Sequence, residues 1–306
     1  MFSLSRLRRG LKSPNLFLRE ANRLYHTRGY SRPYNTDGVD IFAEDWDHLI
    51  ILDACRYDMF AEQADLPGRL ESRISRGSST VEFLTANFAG RDLRDTVYVT
   101  GNPQLYRHRE EMNPELHAII DVWQEDGWDE EKKTVLPETM AERTLEAAER
   151  FPDKQIVSHF IQPHYPFIYD QEVFNDSQVF LLPDEPGSWH QVMTGRVSVS
   201  KESVWRAYRT TLDRALPEVE RLLLNLNGRK VVTADHGNMV GERSQPLPVV
   251  EWGHPRATYT PELVRIPWYI ESDEERRRIE SEPAPKPSNE IEADALEERL
   301  ANLGYK

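Results

Sequence analysis

Lys230-Val-Val-Thr-Ala-Asp235-His236-Gly237-Asn238 reads as a short buried strand that runs directly into a chemically loaded turn. Valine and threonine in an unbroken run fit a strand covered on both faces. The adjacent Asp235 and His236 then place an oxygen ligand and a nitrogen ligand on one turn, and Gly237 permits close approach of another backbone segment. A turn histidine that is merely solvated is the plain alternative, and the rest of the chain weighs against it.

Two further segments end the same way. His48-Leu-Ile-Ile-Leu-Asp53 is an apolar run closed by a carboxylate, and Gln155-Ile-Val-Ser-His-Phe-Ile161 leads to His164. A fourth strand is expected over Asp95–Thr100, stopped by Gly-Asn-Pro, with helices over Pro137–Arg150 and about Val204 to Leu224. Strands alternating with helices predict an α/β fold with a largely parallel sheet covered on both faces. Ligands of such sheets bind at the carboxyl ends of the strands. Asp53, the His159/His164 region and Asp235-His236 therefore gather at one edge. Carboxylates with imidazoles suit a divalent cation such as Mn²⁺, Mg²⁺, Zn²⁺ or Ca²⁺. His159 lies inside its strand and is expected to be a buried, hydrogen-bonded core residue. Cys55 is expected to be a small packed residue; as the lone cysteine it forms no internal disulfide, which fits a reducing interior.

Ser75-Arg-Gly-Ser-Ser-Thr-Val-Glu-Phe-Leu84 reads as a glycine turn feeding a helix, with Ser79 and Glu82 at the spacing of a capping box. The same pattern sets hydroxyls at a helix N-terminus, where free N–H groups favour an anion. A hydroxyl there, activated by a metal, is a competent nucleophile toward phosphorus or sulfur. Thr80 and Ser79 are the candidates, with Ser78 a third.

Taken in order, Leu52-Asp53-Ala-Cys-Arg56-Tyr-Asp58, the Gly-Ser-Ser-Thr turn, His159-Phe-Ile-Gln-Pro-His164-Tyr-Pro-Phe167, Thr233-Ala-Asp235-His236-Gly237 and Trp252-Gly253-His254-Pro255 resemble the alkaline phosphatase superfamily, in its sulfatase and phosphoglycerol-transferase branch. Pro261-Glu-Leu-Val-Arg-Ile-Pro267 resembles that branch too, so the likeness spans roughly Trp46 to Ile270. The resemblance implies an alkaline-phosphatase-like core, a mostly parallel, mixed sheet sandwiched between helices. It implies Asp53, Asp235 and His236 as metal ligands, with Thr80 or Ser79 supplying the nucleophile. His164 and His254 match positions that hold the ester's oxygens or protonate the leaving group, and Arg56 is a further substrate-binding candidate. One metal site is expected, with His159, His164 and His254 available for a second. Formylglycine sulfatases carry Cys-x-Pro-Ser-Arg where this chain has Gly-Ser-Ser-Thr. A single-metal phosphotransferase or phosphodiesterase, acting on a phosphodiester or phosphomonoester, therefore fits better than a sulfatase. The substrate is expected to be a small-molecule, lipid-headgroup or glycan ester. The competing reading is a non-catalytic relative that binds a metal, an anionic glycan or a lipid headgroup.

Composition bounds the rest. The 306 residues are 39% apolar, adequate for a core, and no apolar run approaches a membrane span. The net charge of −14 and the eight lysines, set against many more arginines, read as adaptation to salt and argue against a nucleic-acid partner. The division expected is a basic arm over 1–40, a catalytic domain over 41–270 and an acidic tail over 271–306 with a short helix, Ile291 to Asn302. In the arm, arginines alternate with Leu4, Leu7, Leu11, Leu16, Phe17, Leu18 and Leu24. An amphipathic contact with an anionic membrane is one reading, and packing on the chain's own acidic domain is the favoured one. The first thirty residues lack a secretory signal pattern, so a cytoplasmic protein, or one peripheral at the inner membrane surface, is expected.

Overall fold

The computed structural model describes residues 14–168, 189, 192, 199–272, 276–282 and 293–305. Its centre is β1, His48–Leu52, with every residue buried. β1 lies between two parallel neighbours, β5 (Gln155–Phe160) and β6 (Arg229–Ala234). Beyond β5 come β3 (Asp92–Thr100) and β4 (Glu115–Asp121), both parallel. Beyond β6 come β9 (Arg265–Ser272) and β2 (Arg69–Ile74). The seven-stranded order is β2-β9-β6-β1-β5-β3-β4, and β9 alone runs against the others. β7 (Met239–Arg243) and β8 (Val250–Gly253) form a separate antiparallel pair.

The helices are α1 (Pro14–His26), α2 (Tyr57–Gln63), α3 (Thr80–Phe88), α4 (Pro137–Arg150), α5 (Lys201–Asn225), α6 (Pro261–Val264) and α7 (Ala293–Asn302), with single turns at Gln104–Arg107 and Arg109–Met112. Strand alternation splits the core into two layers. Ile50 and Leu52 face a cluster with Met140, Tyr208, Leu212 and Val219 from α4 and α5. Leu49 and Ile51 face the other cluster, with Trp46 and with Phe83, Leu84 and Phe88 from α3. The sheet is therefore mixed, mostly parallel and helix-covered, as expected.

Among the described strands, β2, β4, β7, β8 and β9 escaped the sequence reading, and two of them show why. β2 is a partly exposed edge strand with the charged sequence Arg-Leu-Glu-Ser-Arg-Ile. β9 contains Pro267, which argues against an internal strand because it cannot donate to the ladder. Pairing with β6 runs only as far as Trp268 opposite Thr233, so the missing N–H falls where that ladder has ended. The Pro267 carbonyl instead accepts the Thr233 hydroxyl at 2.7 Å.

The chain beyond residue 270 is held to the body. Arg276 pairs with Asp47 at 2.7 Å, and Leu300 and Leu303, in and just after α7, are buried. Among the described residues no helix is long and apolar enough to cross a membrane.

Candidate active site

Sheet register assembles the site. Leu52 pairs with Ala234, so Asp53 and Asp235 leave neighbouring strands at the same level. His159 pairs with Ile51, two residues before Asp53, and a period of two puts it on the same face as both carboxylates. Asp53, His159 and Asp235 are fully buried, and each offers a ligand atom within 4.8 Å of the others.

Each carboxylate has one oxygen engaged. Oδ1 of Asp235 accepts the N–H groups of Ala54 and His236 at 2.9 and 2.8 Å. Ala54 reaches this position with φ +59, a left-handed conformation that costs an alanine about 1–2 kcal/mol. Oδ2 of Asp53 accepts Asn102 Nδ2 at 2.6 Å and the Tyr305 hydroxyl at 2.8 Å. Asp53 Oδ1, Asp235 Oδ2 and His159 Nε2 are buried with no hydrogen-bond partner. Buried polar atoms are rarely left so. Burial, and then the charge of Asp235, hold the Asp53 carboxyl well above the usual carboxylate range. Burial also lowers His159 to about 4, which keeps it a neutral imidazole. Two carboxylates, a neutral imidazole and their three unpartnered atoms fit a divalent cation, whose charge would offset the burial and mutual repulsion of the carboxylates.

His236 adjoins this group. Its Nδ1 donates to the Gly237 carbonyl at 2.7 Å, which leaves Nε2 bare. Nε2 lies 3.3 Å from Asp235 Oδ2 and 3.7 Å from Asp53 Oδ1. A Cβ at Gly237 would collide with the Glu262 carbonyl, the close approach that the glycine permits.

The three hydroxyls of the turn are placed differently. Thr80 Oγ1, at the start of α3, is 3.2 Å from His236 Nε2 and 3.4 Å from the Tyr305 hydroxyl. Ser78 Oγ is tied to Glu82 at 2.7 Å and to the Pro255 carbonyl at 3.1 Å. Ser79 Oγ is buried without a partner. The expected capping box is displaced by one residue: Glu82 reaches the Ser78 N–H at 2.9 Å, and Ser79 makes no side-chain cap bond.

His164 and His254 lie beside the cluster, their ring centroids 4.9 Å apart, with His254 4.7 Å from His236. His164 Nδ1 donates to the Tyr165 carbonyl at 2.5 Å, so its buried Nε2 is bare; burial, and then His236, lower its pKa to about 4. Burial holds His254 well below the usual histidine range, with His236 and then His164 adding to the effect. Arg56 is placed otherwise than expected. Its guanidinium is committed to Asp58 at 2.6 Å and Glu242 at 2.7 Å and lies over Trp205, so it braces this flank instead of facing an ester.

Asn102 and Tyr305 escaped the sequence reading, and His159, expected in the core or at a second metal site, lies with Asp53 and Asp235. His159 is buried and hydrogen-bonded as expected, with Nδ1 2.7 Å from the Tyr98 hydroxyl, but its other nitrogen faces the carboxylates. Strand parity with Asp53 was the available signal. Asn102 reads in the sequence only as part of a strand stop. Tyr305, in a segment expected to be a tail, stacks on His164 with centroids 5.0 Å apart, and nothing in the local sequence marks it. The other acidic group, Asp153 with Glu280 and Glu282, already has Lys154 as counter-charge at 3.1 and 3.5 Å.

No family model matches this chain, and no curated protein does. Several solved structures are similar to it. One is the C-terminal periplasmic domain of EptC from Escherichia coli in complex with Zn, 12% identical over 78% of this chain and 76% of that one, with a TM-score of 0.49. Another is the soluble domain of lipooligosaccharide phosphoethanolamine transferase A from Neisseria meningitidis, 12% identical over 73% and 75%, with a TM-score of 0.46. A protein in the alkaline phosphatase superfamily from Vibrio parahaemolyticus is 12% identical over 93% and 75%, with a TM-score of 0.42. Likenesses at this level carry no argument about chemistry. The chain's own residues carry it.

Proposed function

We propose that the chain is a metal-dependent enzyme that transfers or hydrolyses a phosphate ester through Thr80. The observation that carries this reading is the convergence of Thr80 Oγ1 and His236 Nε2, 3.2 Å apart, on a buried group of unpartnered carboxylate and imidazole atoms. Asp53, Asp235, His159 and His236 would hold a divalent cation, which when bound supplies positive charge to the nucleophile's oxygen and to the ester's oxygens.

The remaining roles belong to side chains. The Thr80 oxygen forms a bond to phosphorus as the bond to the leaving alcohol breaks, and its proton passes to a bare imidazole nitrogen. His164 Nε2, bare and beside the same histidine cluster, is the candidate acceptor, with the proton relayed by a water because Thr80 itself contacts His236. A neutral His254 keeps one N–H in either tautomer and is the candidate donor to the leaving oxygen. Water or an alcohol then displaces the Thr80 oxygen and restores the hydroxyl. The start of α3 favours the anionic group being transferred. Tyr305 already contacts Thr80, Asp53 and His164, so its ring occupies volume that an ester at Thr80 needs and must withdraw on binding.

The test is hydrolysis of a chromogenic phosphomonoester, phosphodiester and sulfate, each with Mn²⁺, Mg²⁺, Zn²⁺ or chelator, in low and high salt. Turnover of a phosphate ester that needs metal and vanishes in Asp235→Ala supports the reading. Metal binding without turnover of any ester, in the presence of alcohol acceptors, would leave the non-catalytic alternative standing. Preference for the sulfate would move the substrate class.

A further inference from the structure

Helix α1 is inverted. It turns its polar stripe to the body: Arg19 meets Glu251 at 2.9 Å, the buried Asn22 donates to Ser244 at 3.0 Å and to the Leu247 carbonyl at 2.8 Å, and His26 contacts the Gln245 carbonyl at 2.7 Å. The opposite stripe carries Phe17, Leu18, Leu24 and Tyr25, exposed at 46, 38, 37 and 65%. Their spacing of i, i+1, i+7 and i+8 makes one face of the helix. Surface helices ordinarily bury that face. Polar residues here anchor α1 firmly while its apolar side is turned to solvent.

Charge selects what covers it. The first thirty residues hold seven arginines and lysines against one acidic residue, Glu20, in a chain whose net charge is −14. A second copy meeting this face through its own α1 would set like charges together. The large exposed apolar residues outside the first thirty, Ile74, Ile119, Leu224 and Val250, are isolated in sequence and build no matching helix face among the described residues. An anionic lipid surface meets both demands. Leucine and phenylalanine enter the acyl boundary, tyrosine sits at the headgroup level, and the positive balance of the first thirty residues favours anionic headgroups over neutral ones.

We propose that α1 docks this protein on an anionic lipid surface through Phe17, Leu18, Leu24 and Tyr25. The inference stands apart from the proposed reaction. It is tested by floating the full chain with vesicles of phosphatidylcholine alone or mixed equally with phosphatidylglycerol, at low and high salt. Flotation with the phosphatidylglycerol vesicles is expected, weakening as salt screens the charged part. A Phe17→Gln/Leu24→Gln/Tyr25→Gln variant should melt with the parent protein yet bind about tenfold or more weakly. An Arg23→Glu/Arg28→Glu variant should lose the preference for phosphatidylglycerol. No flotation at low salt, or undiminished binding by the triple variant, overturns the proposal. So does a solution dimer abolished by the triple variant, which would assign this face to a second copy.

Discussion

The Tyr305 hydroxyl donates to Oδ2 of Asp53 at 2.8 Å, joining residues 252 positions apart. The same carboxylate oxygen accepts Asn102, so Tyr305 fixes which Asp53 oxygen stays bare. In the proposed reaction it also stands beside the nucleophile, 3.4 Å from Thr80 Oγ1, where an ester would bind. Removing the ring in Tyr305→Ala should raise kcat/KM for a bulky ester by about tenfold, the worth of one charge-assisted hydrogen bond that no longer has to break. Tyr305→Phe also lacks that hydrogen bond and should show most of the same gain, with any further rise in Tyr305→Ala coming from the cleared volume. Steady-state kinetics on both variants checks this, and a loss of kcat in Tyr305→Phe would give the hydroxyl a part in the chemistry instead.

Metal affinity should follow the bare donor atoms. His159→Ala and Asp235→Asn should each weaken binding by about 100-fold or more, whereas His164→Ala should leave the stoichiometry unchanged. Calorimetric titration of the metal-free protein reads this directly. Full-strength binding by His159→Ala would remove His159 from the ligand set.

Thr80→Val preserves shape and removes only the hydroxyl. Turnover should fall at least about a thousandfold with metal content intact. Ser79→Ala should change little, because Thr80 Oγ1 is the turn hydroxyl in contact with His236. The reverse pattern, measured on the same ester, would transfer the nucleophile to Ser79.

His48 supplies a pH dependence far from the chemistry, at the opposite end of β1 from Asp53. Burial, and then the nearby Arg277 charge, lower it to about 3, with Arg277 Nη1 at 2.9 Å from its Nε2. In the unfolded chain it titrates near 6.5. Between these values the unfolded state binds more protons, so stability is complete above about pH 6.5 and is lost as pH falls toward 3. His48→Gln should flatten that slope by up to about 1.4 kcal/mol per pH unit. Urea denaturation of both proteins at about pH 6 and about pH 5 makes the comparison, with the other histidines common to both.

The sheet and most of the site were legible because their signals are local. Apolar runs ending in Asp53 and Asp235 announce both strands and chemistry, and Pro137–Arg150 appears as a helix with the bounds expected. What escaped depends on the third dimension. β2 reads as polar because it is an edge, and β9 is masked by Pro267, whose absent N–H matters only if the β6 ladder extends that far. Arg56 reads as a substrate-binding candidate, and its pairing with Asp58 and with the distant Glu242 is set by the fold. Tyr305 joins Asp53 only through tertiary packing of α7 and the residues that follow it, which no sequence period encodes.

The central strands β6, β1 and β5 carry Asp235, Asp53 and His159, whereas the walls come from connections: the segment holding His164, the hairpin that ends at His254 and the stretch holding Tyr305. In the proposed reaction the cation-binding group therefore sits at the sheet, while the groups around an ester come mostly from connections. Residues in or directly after central strands are held by the backbone ladder and resist change, while connections tolerate substitution and insertion. A lineage built on this plan can exchange one substrate for another by rewriting its loops alone, and an engineer seeking a new specificity should do the same.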